Sequence, residues 1–600
     1  MKGRAIGLVL LTVATTIPAM PAFAATRVLL RADVNRDGVL SADDDRDRHL
    51  WTAGRGAIVL PNLDDDQRRC PPGESLSDDA LAACNDAADE VVNGTADLMD
   101  LAPLRVEPLL ADSATLSVST TRIRLFARRD GGYRPLGPTT ELTSRELRYG
   151  VTLAAEARDI VRDPAGWDGT ADVTLRARRG DVTRSDQVRL RVAPLLFQHR
   201  LLPVRQMMVA DMTPLPERPG EHQFRRDLRR ELVEAGVRRP FLEYPVVGDD
   251  IWMQDLFEPA YLSAPGPGGR EQRMTIYLRV ANPNPDGWSA DRPLRPSARG
   301  AFTRLRGPDV GAVQQYDPQR VADPAQYRNG TFDSAGNFDT IPPYGVHRTG
   351  RMLYGARAGT DFGPDPTFTR MLAAQGYQAP VVVDTSWLAV GHTDEFLAFV
   401  PARNSRGWAL LVADPGLGLR LLERLVSQGA GGQRLVQGVA PELTEDPGLT
   451  VAEAVGRTEL REGTRLATIG VNRALGILRR ETGLTESEIV RVPALFSHIS
   501  IDGYPRDGLT YLYLPGAANG VSTGTGTYLA PKQHGPRDRT GVDVFQRAAE
   551  RALDRVGVRT GWVETWEYSH TFGLVGGEVD CVTNAVRDLS GTTPWWTSPS

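Results

Sequence analysis

Residues 205–247 read Arg205-Gln-Met-Met-Val-Ala-Asp211, then His222-Gln-Phe-Arg-Arg-Asp-Leu-Arg-Arg-Glu-Leu-Val-Glu-Ala-Gly236, then Phe241-Leu-Glu-Tyr-Pro-Val-Val247. The first and last runs are short and apolar, which is typical of strands. The run between them has the period of an amphipathic helix and ends at a glycine. A strand, a helix and a strand in succession predict a mixed α/β architecture.

The same alternation continues toward the C-terminus. Further helices are predicted over 364–377, 415–430 and 543–557, and further strands over 351–356, 408–414 and 510–516. Upstream, short alternating runs at 114–120, 121–128, 171–178 and 185–194 predict an immunoglobulin-like β-sandwich. The pattern changes at Ala193-Pro194, so we predict one domain over 25–194 and a second over 195–600.

The N-terminus has the pattern of a signal peptide. Lys2 and Arg4 precede an apolar run at 6–14, and Ala22-Phe23-Ala24 is a small-x-small cleavage pattern. We therefore predict removal of residues 1–24 and secretion of the mature protein. A membrane anchor is the alternative, but the run is too short to span a bilayer. The net charge of −5 and the lack of a basic stripe give no indication of a nucleic-acid partner, and none is predicted.

The chain has three cysteines. Cys70 and Cys84 flank a polar loop, and in an oxidising compartment they are predicted to form a disulfide. Cys581 then has no partner. An odd thiol in an exported protein is either an inert buried side chain or a reactive group.

An acidic segment near the N-terminus resembles the first half of a calcium-binding loop. Alternating oxygen ligands, a glycine turn and a carbonyl are what Ca²⁺ requires, and a second acidic run follows shortly. An ordinary solvated turn is the alternative. The predicted ligands are Asp33, Asn35, Asp37, the carbonyl of Val39, Asp43 or Asp44, and, in the second run, Asp64 and Asp66.

Three further stretches place reactive side chains between apolar runs. A His flanked by carboxylates suits acid–base chemistry, a lone Cys suits nucleophilic catalysis, and paired carboxylates suit a cationic substrate group such as a guanidinium. A polar loop, a satisfied buried His and an inert Cys are the alternatives. The stretches read Asp249-Asp-Ile-Trp252-Met-Gln254-Asp255-Leu-Phe-Glu258, Trp387-Leu-Ala-Val-Gly-His392-Thr-Asp394-Glu-Phe396 and Gly576-Gly-Glu-Val-Asp-Cys581-Val-Thr-Asn584.

In this order the three stretches resemble the catalytic segments of the peptidyl-arginine deiminase family. Further similarities are Asp333-Ser-Ala335-Gly-Asn-Phe338-Asp339 with Pro342-Pro343, the acidic segments at 33–39 and 62–66, and Trp595-Trp596. The resemblance implies a pentein-like α/β propeller of pseudo-fivefold ββαβ modules after one immunoglobulin-like domain. It also implies hydrolysis of arginine side chains in peptides or proteins to citrulline.

Site roles follow from the same resemblance. Asp255 and Asp394 are expected to hold the guanidinium, Cys581 to attack its carbon, and His392 to protonate the departing ammonia and then activate water. Trp252 is expected to pack on the substrate's aliphatic stem. A calcium ion near the site is expected to bind Gln254, Glu258, Asp339 and the carbonyls of Ala335 and Phe338.

Two departures from the family pattern bear on these expectations. Leu256 stands where the animal enzymes have a second calcium-ligating Glu, and the segment 307–315 lacks their Arg that grips the substrate backbone. Three alternatives therefore stay open beside a protein deiminase. They are a deiminase of free arginine or agmatine, a non-catalytic calcium-dependent binding protein on this scaffold, and a cysteine protease.

Overall fold

The computed structural model describes residues 28–73, 75–213, 215–284, 289–323, 330–500, 508–571 and 576–597. The predicted signal peptide at 1–24 lies outside these residues. Among the helices that are described, none is long and apolar enough to cross a bilayer.

The N-terminal part is built from two five-stranded sheets, in the orders β1-β3-β8-β5-β6 and β2-β10-β9-β4-β7. Inward side chains of both sheets, such as Leu104, Leu153, Val173 and Leu190, share one apolar cluster. Alternation along each strand places these residues on one face and polar residues on the other. The strands are β1 (Leu30–Ala32), β2 (Ala57–Val59), β3 (Ala102–Val106), β4 (Ser113–Val118), β5 (Ile123–Arg129), β6 (Gly132–Leu136), β7 (Thr139–Glu141), β8 (Val151–Ala157), β9 (Thr170–Arg179) and β10 (Val182–Val192).

From residue 196 onward the described sheets repeat one pairing pattern five times. A middle strand has one antiparallel and one parallel neighbour, and the middle strands are β12, β15, β18, β21 and β26. The strands are β11 (Leu196–Phe197), β12 (Val204–Asp211), β13 (Leu242–Pro245), β14 (Phe257–Pro265), β15 (Glu271–Arg279), β16 (Val310–Gln314), β17 (Phe338–Ile341), β18 (Arg351–Gly355), β19 (Val381–Val383), β20 (Leu397–Pro401), β21 (Trp408–Asp414), β22 (Ile489–Pro493), β23 (Phe496–Ile499), β24 (Leu509–Leu512), β25 (Val521–Ser522), β26 (Thr527–Pro531), β27 (Arg559–Val563) and β28 (Asn584–Arg587).

Helices connect each middle strand to its parallel neighbour in four of these five sheets, and short helical turns at 296–305 do so between β15 and β16. Parallel strands need such crossovers, because the end of one strand and the start of the next lie at opposite edges of the sheet. The described helices are α1 (Asp78–Ala83), α2 (Thr95–Asp100), α3 (Ser144–Tyr149), α4 (Glu221–Glu234), α5 (Pro318–Ala322), α6 (Pro366–Ala374), α7 (Pro415–Ser427), α8 (Val451–Gly456), α9 (Thr458–Thr482) and α10 (Val544–Asp554).

The pattern is completed by strands that are distant in sequence. β28 pairs antiparallel with β12, so Val204 lies opposite Arg587. The two parts of the chain also share an apolar cluster in which Ile58 and Leu60 meet Leu196 and Trp595. The strand and helix predictions from 205 to 557 are confirmed to within a few residues. The division into domains at 194 stays a prediction.

Candidate active site

The turns that precede the antiparallel outer strands of the repeated sheets carry the four predicted catalytic residues, together with Gly336 and Asn519, which the sequence did not predict. Such turns lead straight into buried strands, so the backbone that carries each side chain is fixed. Asp255 lies in the turn before β14, His392 and Asp394 before β20, and Cys581 before β28. Gly336 lies before β17 and Asn519 before β25.

Cys581 is buried, with 8% of its surface exposed. Its Sγ lies 3.6 Å from Asp394 Oδ2 and receives a hydrogen bond of 3.1 Å from Asn519 Nδ2. Asn519 Oδ1 accepts the backbone N–H of Cys581 at 3.3 Å, which fixes the amide orientation. Burial, together with the charges of Asp394 and Asp255, raises the pKa of the thiol well above its ordinary value.

One ring nitrogen of His392 is hydrogen-bonded to the backbone, and the other faces two carboxylates. Nε2 lies 2.7 Å from the carbonyl oxygen of Thr331, which can only accept, so Nε2 carries a proton. Nδ1 lies 3.8 Å from Asp255 Oδ1 and 3.9 Å from Asp394 Oδ1. The nitrogen available for acid–base chemistry is therefore Nδ1.

Asp255, His392 and Asp394 pack so closely on residue 336 that only glycine fits there. A Cβ at Gly336 would lie 2.7 Å from His392 Nδ1, 2.9 Å from Asp394 Oδ2 and 3.2 Å from Asp255 Oδ1. Asp255 Oδ1 and Asp394 Oδ1 are buried, and neither has a hydrogen-bond donor among the described residues. Two buried carboxylate oxygens without donors match a planar cation that presents several N–H groups.

Arg295 contacts Asp255, and Trp252 lies near Cys581. Arg295 donates to Asp255 Oδ2 at 3.0 Å and, through Nε, to Asp250 Oδ2 at 2.9 Å, which orients Asp255. A Cβ at Gly577 would lie 2.5 Å from the Trp252 ring and 3.0 Å from Cys581 Sγ. The Trp252 ring and the Cys581 side chain therefore both pack against the bare backbone of Gly577.

The residues expected to bind calcium near the site are buried, and several of them already have hydrogen-bond or ion-pair partners. Gln254 Nε2 donates to Glu258 Oε2 at 2.9 Å. The carbonyl of Ala335 accepts the N–H of Phe338. Asp339, in β17, lies 3.4 Å from the Nε of Arg200, a side chain that the sequence analysis did not single out.

The second acidic run of the N-terminal part does form a convergent cluster. Asp64, Asp66 and Asp100 offer ligand atoms within 4.8 Å of one another, and they are the one such trio of His, Cys, Asp or Glu residues in the described part of the chain. Burial, followed by repulsion between neighbouring acids, raises the pKa of Asp64 to about 8, that of Asp66 to about 6 and that of Asp100 to about 9. Carboxylates forced together in this way suit a divalent cation.

The first acidic loop uses its oxygens within its own turn. Asp33 accepts the N–H groups of Asp37 and Gly38, and Asn35 Nδ2 donates to Asp37 Oδ2. Asp44 is buried and its carboxylate accepts three N–H groups, those of Val34, Asn35 and Ser41. Asp43 and Val39 are exposed. The structure does not bring these residues into the cluster of Asp64, Asp66 and Asp100.

The structure joins Cys70 to Cys84 by a disulfide, and Cys581 is the free cysteine. Sequence reasoning missed Thr331, Asn519, Arg295, Arg200 and Asp100. Each is a polar residue in an ordinary sequence context. No local sequence pattern distinguished them; Asn519, for example, precedes only Gly520, Val521 and Ser522.

Comparison with known proteins gives a consistent result. A family model described as protein-arginine deiminase (PAD) matches residues 182–597. The chain is 26% identical over 607 residues to mouse protein-arginine deiminase type-4, covering 94% of this chain and 82% of the relative. It is 26% identical over 598 residues to human protein-arginine deiminase type-1, covering 95% and 82%.

Proposed function

This chain belongs to the protein-arginine deiminase family, and we propose that it hydrolyses arginine side chains in peptides or proteins to citrulline and ammonia. One observation carries the assignment to this site. The buried oxygens Asp255 Oδ1 and Asp394 Oδ1 have no donor in the described chain, and they flank a thiol and an imidazole. A substrate guanidinium supplies the missing donors.

Each proposed step uses Cys581 Sγ, His392 Nδ1 or both. The Cys581 thiol gives its proton to His392 Nδ1, and the sulfur forms a bond to the guanidinium carbon. His392 Nδ1 passes that proton to one nitrogen, whose bond to the carbon breaks as it leaves as ammonia. His392 Nδ1 then takes a proton from water, whose oxygen bonds to the same carbon, and the proton returns to the sulfur as the carbon–sulfur bond breaks. Citrulline and the free thiol result, and the remaining proton of the substrate cation goes to ammonia to give ammonium. Splitting the hydrolysis through a covalent thiouronium replaces one difficult displacement by two easier ones.

Electrostatics couples binding to activation. Asp394 and Asp255 raise the pKa of Cys581 while no cation is bound. A guanidinium between these two carboxylates offsets their charge and stabilises the thiolate. The nucleophile therefore forms when its substrate arrives, which restricts its reaction with other electrophiles.

The fold extends this proposal. We infer that the five sheets of alternating pairing stand around one axis as a pentein-like propeller, with the two N-terminal sheets as an immunoglobulin-like domain. Support comes from the fivefold recurrence of one pairing pattern, from the pairing of β28 with β12, and from the catalytic turns, which all precede equivalent strands.

We propose Asp64, Asp66 and Asp100 as the calcium site, and their convergence supports it. The ion would take no part in the reaction. It would stabilise the contact between the N-terminal part and the 307–310 turn, because Asp64 Oδ2 accepts the N–H of Asp309 at 2.9 Å. Export is proposed from the pattern at 1–24 and from the Cys70–Cys84 disulfide, since disulfides persist in oxidising compartments.

The test is citrulline release from a blocked peptidyl-arginine in calcium, with Cys581→Ser as the matched inactive variant. We expect release by the wild type alone. Release from free arginine or agmatine, with none from the peptide, would replace the protein substrate by a small guanidine. If the folded chain releases no citrulline from the peptide or free arginine and does not hydrolyse agmatine, a binding protein would be favoured. Asp255→Asn separates a deiminase from a cysteine protease, because only the deiminase needs this carboxylate.

A further inference from the structure

Arg200 lies among the side chains that the family resemblance assigns to a calcium ion beside the active site. The residue is 8% exposed, its Nε is 3.4 Å from Asp339 Oδ1, and its Nη1 pairs with Asp580 Oδ1. A guanidinium stays protonated in proteins, so Arg200 is a permanent cation in this position.

Two of the predicted side-chain ligands already have partners. Asp339 is paired with Arg200, and Glu258 Oε2 accepts the amide N–H of Gln254. A divalent ion placed here would also meet the charge of Arg200 at short range, where like charges repel strongly.

We propose that the Arg200 guanidinium replaces this calcium ion as an internal cation that joins Asp339 to Asp580 and so positions Cys581. The link is direct, because Asp339 lies in β17 beside the turn of Gly336, and Asp580 immediately precedes the nucleophile. Arg200 is fixed in turn, since its carbonyl accepts Arg587 Nη1 at 2.8 Å. Arg200 touches no reacting atom and acts as a positioning residue.

The primary test counts the calcium ions bound per chain by equilibrium dialysis of the mature wild type, Glu258→Gln, Arg200→Gln and Arg200→Lys. Glu258→Gln is expected to leave the count unchanged, and Arg200→Gln to raise it by one, because removing the guanidinium exposes Glu258, Asp339 and Asp580 to a cation. Arg200→Lys keeps the charge and should keep the wild-type count. Asp66→Asn is the control, since it should lose any ion bound at the N-terminal cluster.

A loss of one ion in Glu258→Gln would overturn the proposal, and so would an unchanged count in folded Arg200→Gln. If Arg200→Gln does not fold, Glu258→Gln still decides. The count needs no turnover, so it stands even if the proposed deimination fails.

The second readout is the rate at which iodoacetamide alkylates Cys581. In chelator we expect Arg200→Gln to differ from the wild type by at least about tenfold, since misplacement of about 1 Å changes rates by up to 100-fold. Calcium should move the variant back toward the wild-type rate. Equal rates in chelator would refute the positioning role.

Discussion

Replacing Gly336 by Ala should block the site without unfolding it. The added Cβ would lie 2.7 Å from His392 Nδ1, about 0.7 Å inside the 3.4 Å at which ordinary contact begins. It would also lie 2.9 Å from Asp394 Oδ2, so the imidazole and the carboxylate must both move away. The methyl group would therefore displace two of the groups proposed to act on the guanidinium.

The size of the effect follows from this displacement. A misplacement of about 1 Å in a catalytic arrangement costs up to about 100-fold in rate. A shift of about 0.7 Å shared by two groups, together with the lost volume, should lower kcat/KM by about 100-fold, equivalent to about 2.7 kcal/mol. Stability should change little, because Gly336 has no positive φ and alanine restricts the unfolded chain.

The assay is citrulline release from the blocked peptide, with thermal unfolding measured on the same samples. Gly432→Ala is the matched control, because a Cβ there meets nothing within 4 Å. It should keep wild-type kinetics. A folded Gly336→Ala variant with kcat/KM within threefold of the wild type would refute the placement of the substrate against His392 and Asp394.

Three further predictions follow from other contacts. Asn519→Ala removes the donor to Cys581 Sγ and should lower kcat/KM by roughly 10- to 100-fold, consistent with about 1–3 kcal/mol for a lost buried hydrogen bond; unchanged kinetics would remove Asn519 from the site. The pKa of Asp64 is about 8 in the folded chain, against an ordinary value of 3.8. Between these pH values, and without calcium, the folded chain holds a proton that the unfolded chain has lost, so the free energy of unfolding falls as pH rises. Calcium replaces the proton and should raise the melting temperature more near pH 8 than near pH 5, and an equal shift at both would contradict the site. Replacing Cys70 and Cys84 by Ser should lower the free energy of unfolding by about 3 kcal/mol in denaturant titrations, and a loss below about 1 kcal/mol would show that the loop is already ordered without the bond.

Sequence predicted the helices whose periodicity and caps agree. Asp414 and Asp543 cap α7 and α10 through their side chains, so both helices begin where an acidic residue precedes an apolar periodic run. The sequence did not predict α9, the longest of the described helices. It contains Gly463 and Gly470, which lower helix propensity, and the reason is tertiary. A Cβ at Gly463 would overlap the Phe496 carbonyl, and one at Gly470 the Trp387 ring.

The site divides in the same way. Asp255, His392, Asp394 and Cys581 come from short stretches with a recognisable order, and the structure brings them together. Asn519, by contrast, comes from the turn before β25 and contacts Cys581 in the turn before β28, 62 residues further along the chain. Pairing between elements that are distant in sequence is set by packing, and no local pattern records it.

The pairing of β28 with β12 has a consequence for biosynthesis. Arg587 donates to the carbonyl of Arg200, 387 residues earlier, so the thiol-bearing turn is docked only when late and early segments meet. A polypeptide emerging from the ribosome carries both carboxylates and the imidazole long before it carries the sulfur. Until β28 pairs with β12, the turn that carries Cys581 is not docked beside Asp394, so assembly of the site is one of the last steps of folding.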